Sequence, residues 1–350
     1  MSEQEFVQRI EAAVADKTPL NIVAGNSKAF YGRAPVGEPL HVASYHGITS
    51  YEPTELVITA RAGTTLEEIE HALGQNNQML PFEPPHYGPG ATIGGTVACN
   101  FSGPLRAYQG AARDFVLGTK IINGRGEVLR FGGEVMKNVA GYDVSRLMCG
   151  AMGTLGLMLE ISLKVLPKPA SELTLVFEAD AGKAIEMMNQ WAGRPLPVSA
   201  TAWVDDQLYL RMSGTQNGVK AASKSLGGQL LEGADAFWRQ VREQQHSFFN
   251  TEKPLWRLSL PSTTSPLFAD TPCLMEWGGG LRWLISESPA EEIFSLAKAK
   301  GGHATLFSGG NRQGTIFQPL DPGLLALHRN LKQSFDPYGI FNPGRMSEEF

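Results

Sequence analysis

A glycine-rich region gives the first indication of a chemical function in this chain. Of the 76 residues from Pro81 to Gly156, 15 are glycine, whereas the whole chain of 350 residues has 39. Glycine lets the backbone take positive φ angles or approach another group closely. Two interpretations follow: a domain rich in loops, or a ligand that lies against the main chain and is held by N–H groups.

The first of three segments that favour a ligand is VAGNSKAFYGR, residues 23–33. An apolar strand runs directly into Gly25, and small polar residues follow. Successive N–H groups of such a loop can form a nest for an anion such as a diphosphate. Neither GxxxxGK[ST] nor GxGxxG occurs in the chain, so a P-loop and a Rossmann phosphate site are excluded.

The second segment is GATIGGTVACNFSG, residues 90–103, and the third joins GGEVMKNVAGYD (132–143) to GAMGTLG (150–156). In the second segment Thr92 can cap a short helix, and Gly94 and Gly95 would let a ligand or another backbone segment come close. The N-terminus of that helix would attract phosphate. Three such segments in one domain favour a cofactor site over unrelated structural turns.

Cysteine and histidine give no metal or cluster site. Cys99, Cys149 and Cys273 have no CxxC spacing, and three thiolates are too few for a four-cysteine iron–sulfur cluster. His41 and His46 are five residues apart, which is the wrong spacing for one helix face and for one strand face. No metal site is therefore expected.

Charge and hydropathy exclude other classes of partner. Thirty basic and 35 acidic residues give a net charge of −5, and no basic run suggests nucleic acid binding. The N-terminus, MSEQEFVQRIEAAVADK, lacks the apolar region of a secretory signal. No run of about 18 apolar residues is present, so no direct membrane span is expected. We therefore expect a cytoplasmic protein, with any membrane association made through its partners.

The elements that must position the glycine loops can be predicted from periodicity. They are a helix over 3–16, strands over 20–24 and 55–60, a helix over 65–73, strands over 114–122 and 127–131 around NGRG, and a strand over 157–165 with one buried face. LPKPA at 166–170 then marks a domain boundary near residue 168.

The region after this boundary has the composition of an ordinary α+β domain. Its predicted order of strand 172–178, helix 181–192, strands 198–204 and 207–212 and helix 217–226 is similar to a ferredoxin-like unit. A second set follows: helix 234–245, strands 255–260 and 281–285, helix 289–299 and strand 303–307. A last helix begins at Pro322 and ends at Asp336. The predicted fold class is α+β.

Three runs of sequence carry a family resemblance: GATIGGTVACNFSGP, RDFVLGTKIINGRGEVLRFGGEVMKNVAGYDVSRLMCGAMGTLG and FDPYGIFNPGRM. The chain resembles the FAD-binding family typified by vanillyl-alcohol oxidase and p-cresol methylhydroxylase. More narrowly, it resembles the FAD-binding E subunits of three-subunit bacterial glycolate oxidases, to which EPTELVITARAGT, QMLPFEPPHYG and GGHATLFSGG are also similar.

This resemblance implies a p-cresol methylhydroxylase-type FAD-binding domain of two α+β subdomains over residues 1–168. It further implies a ferredoxin-like α+β cap domain over 169–310 and a C-terminal segment, 311–350, that returns to the FAD domain. It assigns the cofactor diphosphate to Gly25, Asn26, Ser27, Lys28, Ala29, Thr92, Ile93, Gly94 and Gly95. It assigns the rest of the FAD to Ser102, Gly103, Gly153, Thr154, Gly156 and Ile161, with Asn342 near the flavin.

The chain departs from its relatives in two motifs. Many relatives attach FAD covalently through a histidine in the first loop, whereas this loop has none, so non-covalent FAD is expected. Related D-2-hydroxy-acid dehydrogenases bind a metal through a HxGDGNxH-type motif, which is missing here; the nearest match, Gly301-Gly-His303, lacks a second ligand. Arg106, Lys137 and Arg345 are candidate cations for a substrate carboxylate, and no catalytic base can be assigned.

Three functions remain open at this point. The leading one is an FAD subunit of a complex that oxidises glycolate, a small 2-hydroxy acid, to glyoxylate. A sibling FAD subunit and an iron–sulfur subunit would be its partners, and this chain's FAD would relay electrons or support the sibling. The second is an autonomous FAD-dependent 2-hydroxy-acid dehydrogenase. The third is a scaffold subunit without cofactor.

Overall fold

The computed structural model describes residues 1–133, 143–267 and 271–350. In chain order its helices are α1 (Glu3–Asp16), α2 (Leu66–Gly74), α3 (Ile93–Cys99), α4 (Arg106–Gln109), α5 (Ala112–Phe115), α6 (Val144–Met148), α7 (Ala181–Ala192), α8 (Gln216–Leu226), α9 (Ala234–Arg242), α10 (Ala290–Ala299) and α11 (Pro322–Phe335).

Its strands are β1 (Leu20–Val23), β2 (Glu38–His41), β3 (Ile48–Glu52), β4 (Val57–Arg61), β5 (Gln78–Met79), β6 (Val116–Ile122), β7 (Val128–Gly132), β8 (Leu157–Lys164), β9 (Leu166–Pro167), β10 (Ser171–Glu178), β11 (Val198–Val204), β12 (Gln207–Gly214), β13 (Gln229–Leu230), β14 (Leu255–Ser259), β15 (Cys273–Glu276), β16 (Leu281–Ile285) and β17 (His303–Ser308). The chain is an α+β protein, as predicted.

The chain forms two compact units. The first comprises Met1–Phe101, Ala111–Pro167 and Arg312–Phe350, and the second comprises Ser102–Gly110 and Lys168–Asn311. The segment 102–110, which contains α4, thus lies with the second unit. The limits predicted for independently folding domains stay predictions.

The first unit is built on an antiparallel sheet of five strands in the order β3-β4-β8-β6-β7. The prediction that β8 buries only one face is wrong. The register between β6 and β8 shifts between Glu160 and Met158, so Leu157 and Leu159 pack with α1, whereas Met158, Ile161 and Leu163 belong to the core that contains α2. The strand lies between β4 and β6 with a helical layer on each side, so both of its faces are buried.

A two-stranded sheet of this unit leads into the first glycine loop. Strands β1 and β2 pair in parallel, and Leu20 also forms a bridge with Phe341 near the C-terminus. The loop that begins at Gly25 therefore starts from a strand that the C-terminal segment holds in place.

The second unit contains an antiparallel sheet of eight described strands in the order β13-β10-β12-β11-β15-β16-β14-β17. Each half has its four strands in the spatial order of a ferredoxin-like sheet. Helices α7 and α8 pack on the first half and α10 on the second, and no helix lies between β14 and β15 among the described residues. Pairing of Ala202 with Glu276 and of Trp203 with Met275 joins the halves.

Periodicity predicted α7, β11 and β16 with the bounds that the structure has. It did not predict β15, whose four residues are too short to show an alternation. It also extended β6 to residue 114, whereas Asp114 lies within α5, where its side chain accepts a hydrogen bond from the Ala111 amide at 2.9 Å. Among the described residues, none of the helices has the length and hydropathy needed to cross a membrane.

Candidate functional site

A cavity of about 930 Å³, including its open mouth, lies in the first unit. The structure brings together most of the residues that the family resemblance placed at a cofactor. The lining contains Gly25, Asn26, Ser27, Lys28, Ala29, Thr92, Gly94, Gly95, Gly153, Gly156 and Asn342.

The loop after β1 supplies amide groups that the protein itself leaves unused. Within the described part of the chain, the amides of Gly25, Asn26 and Ser27 make no hydrogen bond. Asn26 has φ +58°, so the backbone turns into the left-handed region here. Successive amides in such a turn form a concave donor site for an anion. The loop therefore fits the diphosphate of a dinucleotide.

Glycine is required at position 25 by a close approach of two backbone segments. A Cβ atom at Gly25 would lie 1.6 Å from the carbonyl oxygen of Gly90. The first and second glycine segments thus contact each other through their main chains, and any side chain at position 25 would separate them.

Helix α3 begins where the sequence predicted, but it offers no free amide at its first turn. The Thr92 side chain accepts from the Gly95 amide at 3.2 Å. The amides of Ile93 and Gly94 donate to Thr64 O and Ala62 O, both at 2.9 Å. These amides are therefore not free donors in this structure, and the assignment of the diphosphate to Thr92, Ile93, Gly94 and Gly95 stays a prediction. The segment contributes a close surface instead.

The two neighbouring glycines of α3 have different surroundings. A Cβ at Gly94 would lie 2.7 Å from Ala62 O, so this residue permits α3 to pack against the end of β4. A Cβ at Gly95 would meet only the Thr92 hydroxyl, at 3.3 Å, on the cavity side. Position 94 therefore serves packing, whereas position 95 keeps space in the cavity.

Asn342 connects two walls of the cavity. Its Nδ2 donates to Met152 O at 2.6 Å, and its Oδ1 accepts from the Ile22 amide at 2.8 Å. Gly153, with φ +72°, lies beside it, and a Cβ there would be 2.7 Å from Asn342 Nδ2. The side chain thus fixes β1 and the 150–156 loop relative to each other.

A buried ion pair supports the same loop from behind. Lys332 Nζ donates to Asp336 Oδ2 at 2.7 Å and to the carbonyl oxygens of Thr154 and Phe341, both at 2.8 Å. Asp336 in turn accepts from the Ile340 and Phe341 amides. Burial lowers the pKa of Lys332, and the carboxylate of Asp336 acts against that shift.

Arg345, a candidate substrate cation, holds the first loop. Its guanidinium donates to the carbonyl oxygens of Ala29 at 3.0 Å and of Tyr31 at 2.6 Å, and also to that of Arg33. Although Arg345 lines the cavity, its donors are directed at the backbone that carries the unused amides. The residue is therefore a structural clamp.

No histidine lines the cavity among the described residues, and the one cysteine in its lining is Cys99. Burial raises the pKa of the Cys99 thiol to about 11, although Lys28 and Arg345 favour the thiolate. Lys28 is buried, and its Nζ donates to His86 O at 3.3 Å. The lining thus offers a cation and a protonated thiol.

Some predicted residues lie elsewhere. Ile93, Thr154 and Ile161 are buried in the protein interior, where Thr154 donates its hydroxyl to Ala151 O at 2.7 Å. Ser102 and Gly103 belong to the second unit, and their role at FAD stays a prediction. Lys137, and most of the 132–143 segment, lie outside the described residues. No group of three or more potential metal ligands occurs in the described parts of the chain.

The sequence did not reveal that Lys332 supports the 150–156 loop. It also did not show that the first loop has unused amides whereas the amides of α3 are engaged. The i,i+4 spacing of Lys332 and Asp336 was visible, but it is equally typical of an exposed pair. The acceptors Thr64 and Ala62 are about 30 residues from α3 in the chain, so no local pattern could reveal them.

Comparisons with known proteins agree on a flavin-binding chain. Residues 1–132 match the family described as FAD binding domain, and residues 309–346 match the C-terminal domain of FAD linked oxidases. The glycolate oxidase subunit GlcE of Escherichia coli is 51% identical over 346 residues, which cover 99% of this chain and 97% of that one.

Two other relatives are more distant. The glycolate oxidase subunit GlcD of Bacillus subtilis is 35% identical over 130 residues, or 37% of this chain and 27% of that one. The solved structure of p-cresol methylhydroxylase is 17% identical with a TM-score of 0.74, and the match covers 99% of this chain and 87% of the other. That likeness confirms the predicted fold.

Proposed function

The chain belongs to the GlcE family of glycolate oxidase subunits, and we propose that it is an FAD-binding subunit of a complex that oxidises glycolate to glyoxylate. The observation that carries this proposal is the cavity with three unused amides on a chain that matches GlcE over nearly its full length. Bound FAD would supply such a complex with a hydride acceptor or an electron relay for the oxidation of the carbon that carries the hydroxyl group.

The cavity fits this cofactor through residues of the first unit. The amides of Gly25, Asn26 and Ser27 would donate to the diphosphate, with Lys28 as the nearby cation. Gly95, Gly153 and Gly156 would leave room for the rest of the molecule, and Asn342 would keep the two walls apart at the right distance. Because no histidine faces this space among the described residues, binding would be non-covalent.

Partners would supply what this chain lacks. Its three cysteines are too few for a cluster with four thiolate ligands. Burial raises the pKa values of Cys99, Cys149 and Cys273 to about 11, about 12 and about 11, which disfavours thiolate ligands further. An iron–sulfur subunit would therefore carry electrons away, and a sibling FAD subunit would carry out substrate oxidation while the FAD of this chain relays electrons or supports it.

The proposal is tested in two steps. The purified chain should show the spectrum of oxidised flavin, and acid precipitation should release all of the yellow colour into the supernatant. Cells or extracts that lack this subunit should lose glycolate oxidation and regain it when the chain is supplied. Colour retained in the pellet would refute non-covalent attachment, and a colourless chain that still restores activity would support the scaffold function instead.

A further inference from the structure

Arginines of the C-terminal segment hold the second half of the first glycine loop, residues 29–34. The Arg345 guanidinium donates to three carbonyl oxygens of this half, those of Ala29, Tyr31 and Arg33. Arg312 donates to a fourth, Gly32 O, from Nε at 3.1 Å and from Nη2 at 2.7 Å. These donors lie 280 to 316 residues away from their acceptors in the chain.

The loop also holds the C-terminal segment in return. Arg33 Nη1 donates to Gly314 O at 2.5 Å, and its Nη2 lies 2.9 Å from Glu348 Oε1. The Arg33 amide donates to Arg345 O at 3.0 Å. Contacts in both directions therefore fix the two segments against each other.

A short series of hydrogen bonds connects Arg345 to the unused amides. The Ala29 carbonyl accepts from Arg345, and the Ala29 amide donates to Asn26 O at 3.1 Å. Asn26 has φ +58°, and its own amide has no acceptor within the described part of the chain. Displacement of Ala29 would therefore change the direction of the amides that the loop presents to the cavity.

The charge of Arg345 acts in the same cavity. Among the described residues Arg345 has no carboxylate partner, because Glu348 pairs with Arg33. Arg345 lines the cavity, and it favours the thiolate of Cys99 together with Lys28. A half-buried cation without a carboxylate partner favours an anion nearby, since an unpaired charge is costly away from water.

We infer that Arg345 is a positioning residue for the FAD diphosphate. It fixes the loop so that the amides of Gly25 to Ser27 face the cavity, and its charge favours the anion bound there. Because such coupling is reciprocal, FAD should also stabilise the contacts between the loop and the C-terminal segment. This inference rests on the proposed function, because that function places FAD in the cavity.

The affinity for FAD is measured by flavin fluorescence on the full chain after its FAD has been removed. Arg345→Gln should weaken FAD binding by about tenfold to a hundredfold, because hydrogen bonds from a charged group are lost. Arg345→Lys keeps the charge but not the planar fork, so it should recover part of that loss. Added NaCl should narrow the difference between wild type and Arg345→Gln, since salt screens the charge. A purely structural role would leave that difference unchanged.

The matched control is Arg125→Gln. Arg125 is an exposed arginine of the same unit, in the turn between β6 and β7, and it does not line the cavity. Wild-type FAD affinity in this variant, with a loss confined to position 345, supports the inference. Unchanged affinity in Arg345→Gln, equal weakening by Arg345→Gln and Arg125→Gln, or equal affinity of the two Arg345 variants would overturn it.

Circular dichroism shows whether each variant is folded. If Arg345→Gln does not fold, Arg345→Lys carries the test: weaker FAD binding than in the wild type supports the inference, and wild-type affinity overturns it.

Flavin binding by the wild type and restoration of glycolate oxidation separate this inference from the proposed function. A wild type that binds FAD and restores activity, with unchanged affinity in Arg345→Gln, refutes the positioning role alone. A wild type that does not bind FAD refutes the proposed function. The two failures are therefore distinguishable.

Discussion

The buried Lys332–Asp336 pair gives a prediction whose size follows from the structure. Lys332 is 7% exposed and Asp336 is 1% exposed, and Lys332 Nζ has three oxygen acceptors at 2.7–2.8 Å. In Lys332→Met the unbranched apolar part of the side chain is kept, but the Asp336 carboxylate stays buried without its cation. Removal of one partner from such a pair costs about 3–5 kcal/mol of the free energy of unfolding.

The control is Arg329→Met on the same helix, α11. The side chain of Arg329 is 56% exposed and that of its partner Glu349 is 39% exposed. An exposed ion pair contributes about 0–1 kcal/mol. The two variants therefore change the same type of interaction at two levels of burial, and we expect Lys332→Met to lose several times more stability than Arg329→Met.

The assay can separate the two units because all six tryptophans, residues 191, 203, 238, 256, 277 and 283, lie in the second one. Urea unfolding is followed by tryptophan fluorescence for the second unit and by far-ultraviolet circular dichroism for both. With about 2 kcal/mol/M for the dependence on urea, Lys332→Met should lower the midpoint of the first unit by about 1.5–2.5 M. The tryptophan transition reports whether the second unit unfolds separately from the first.

Two results would refute this reasoning. One is a loss in Lys332→Met no larger than that in Arg329→Met. The other concerns the double variant Lys332→Met with Asp336→Asn, which removes the unpaired charge and keeps an amide oxygen as an acceptor. It should be more stable than Lys332→Met alone, and a further loss would mean that the buried charge is not the cause.

Three further predictions follow from the cavity. Gly95→Val should leave the midpoint of unfolding within a few tenths of a molar and weaken FAD binding at least tenfold. Gly94→Val should destabilise the first unit itself by about 1–3 kcal/mol, because its side chain would meet Ala62 O. Flavin titration and urea unfolding of both variants distinguish the loss of FAD binding from the loss of stability. If the two variants show the same FAD affinity and the same stability, the cavity wall is misassigned. The Cys99 thiol, with its pKa raised to about 11, should be ionised in only about one chain in 300 at pH 8.5, where a free cysteine is about half ionised. Alkylation of Cys99 by iodoacetamide, measured by mass spectrometry, should therefore be slow at pH 8.5, and its rate should increase as the pH approaches 11. Fast labelling at pH 8.5 would contradict this prediction. The isolated chain with glycolate and a dye acceptor should not turn over; dye reduction at about 1 s⁻¹ or faster would favour an autonomous dehydrogenase.

Local features of the sequence determined much of this protein. Apolar residues at helical spacing predicted α7, because burial of one helix face leaves a periodic trace in the residues themselves. Short apolar runs predicted β11 and β16, which are buried on both faces. Gly94 and Gly95 could be assigned to the close approach of a ligand or of another backbone segment, since glycine tolerates such an approach best. The glycine segments also pointed to the loop that leaves its amides unused.

Only the tertiary structure decided which of these groups are available. The amides of α3 are taken by Thr64 and Ala62, whereas those of Gly25 to Ser27 have no acceptor in the described chain. The supports of the cavity likewise join distant positions, such as Lys332 with Thr154. Packing between segments far apart in sequence decides which acceptor each donor meets and which charges become neighbours. No local sequence pattern shows which distant segments will come together.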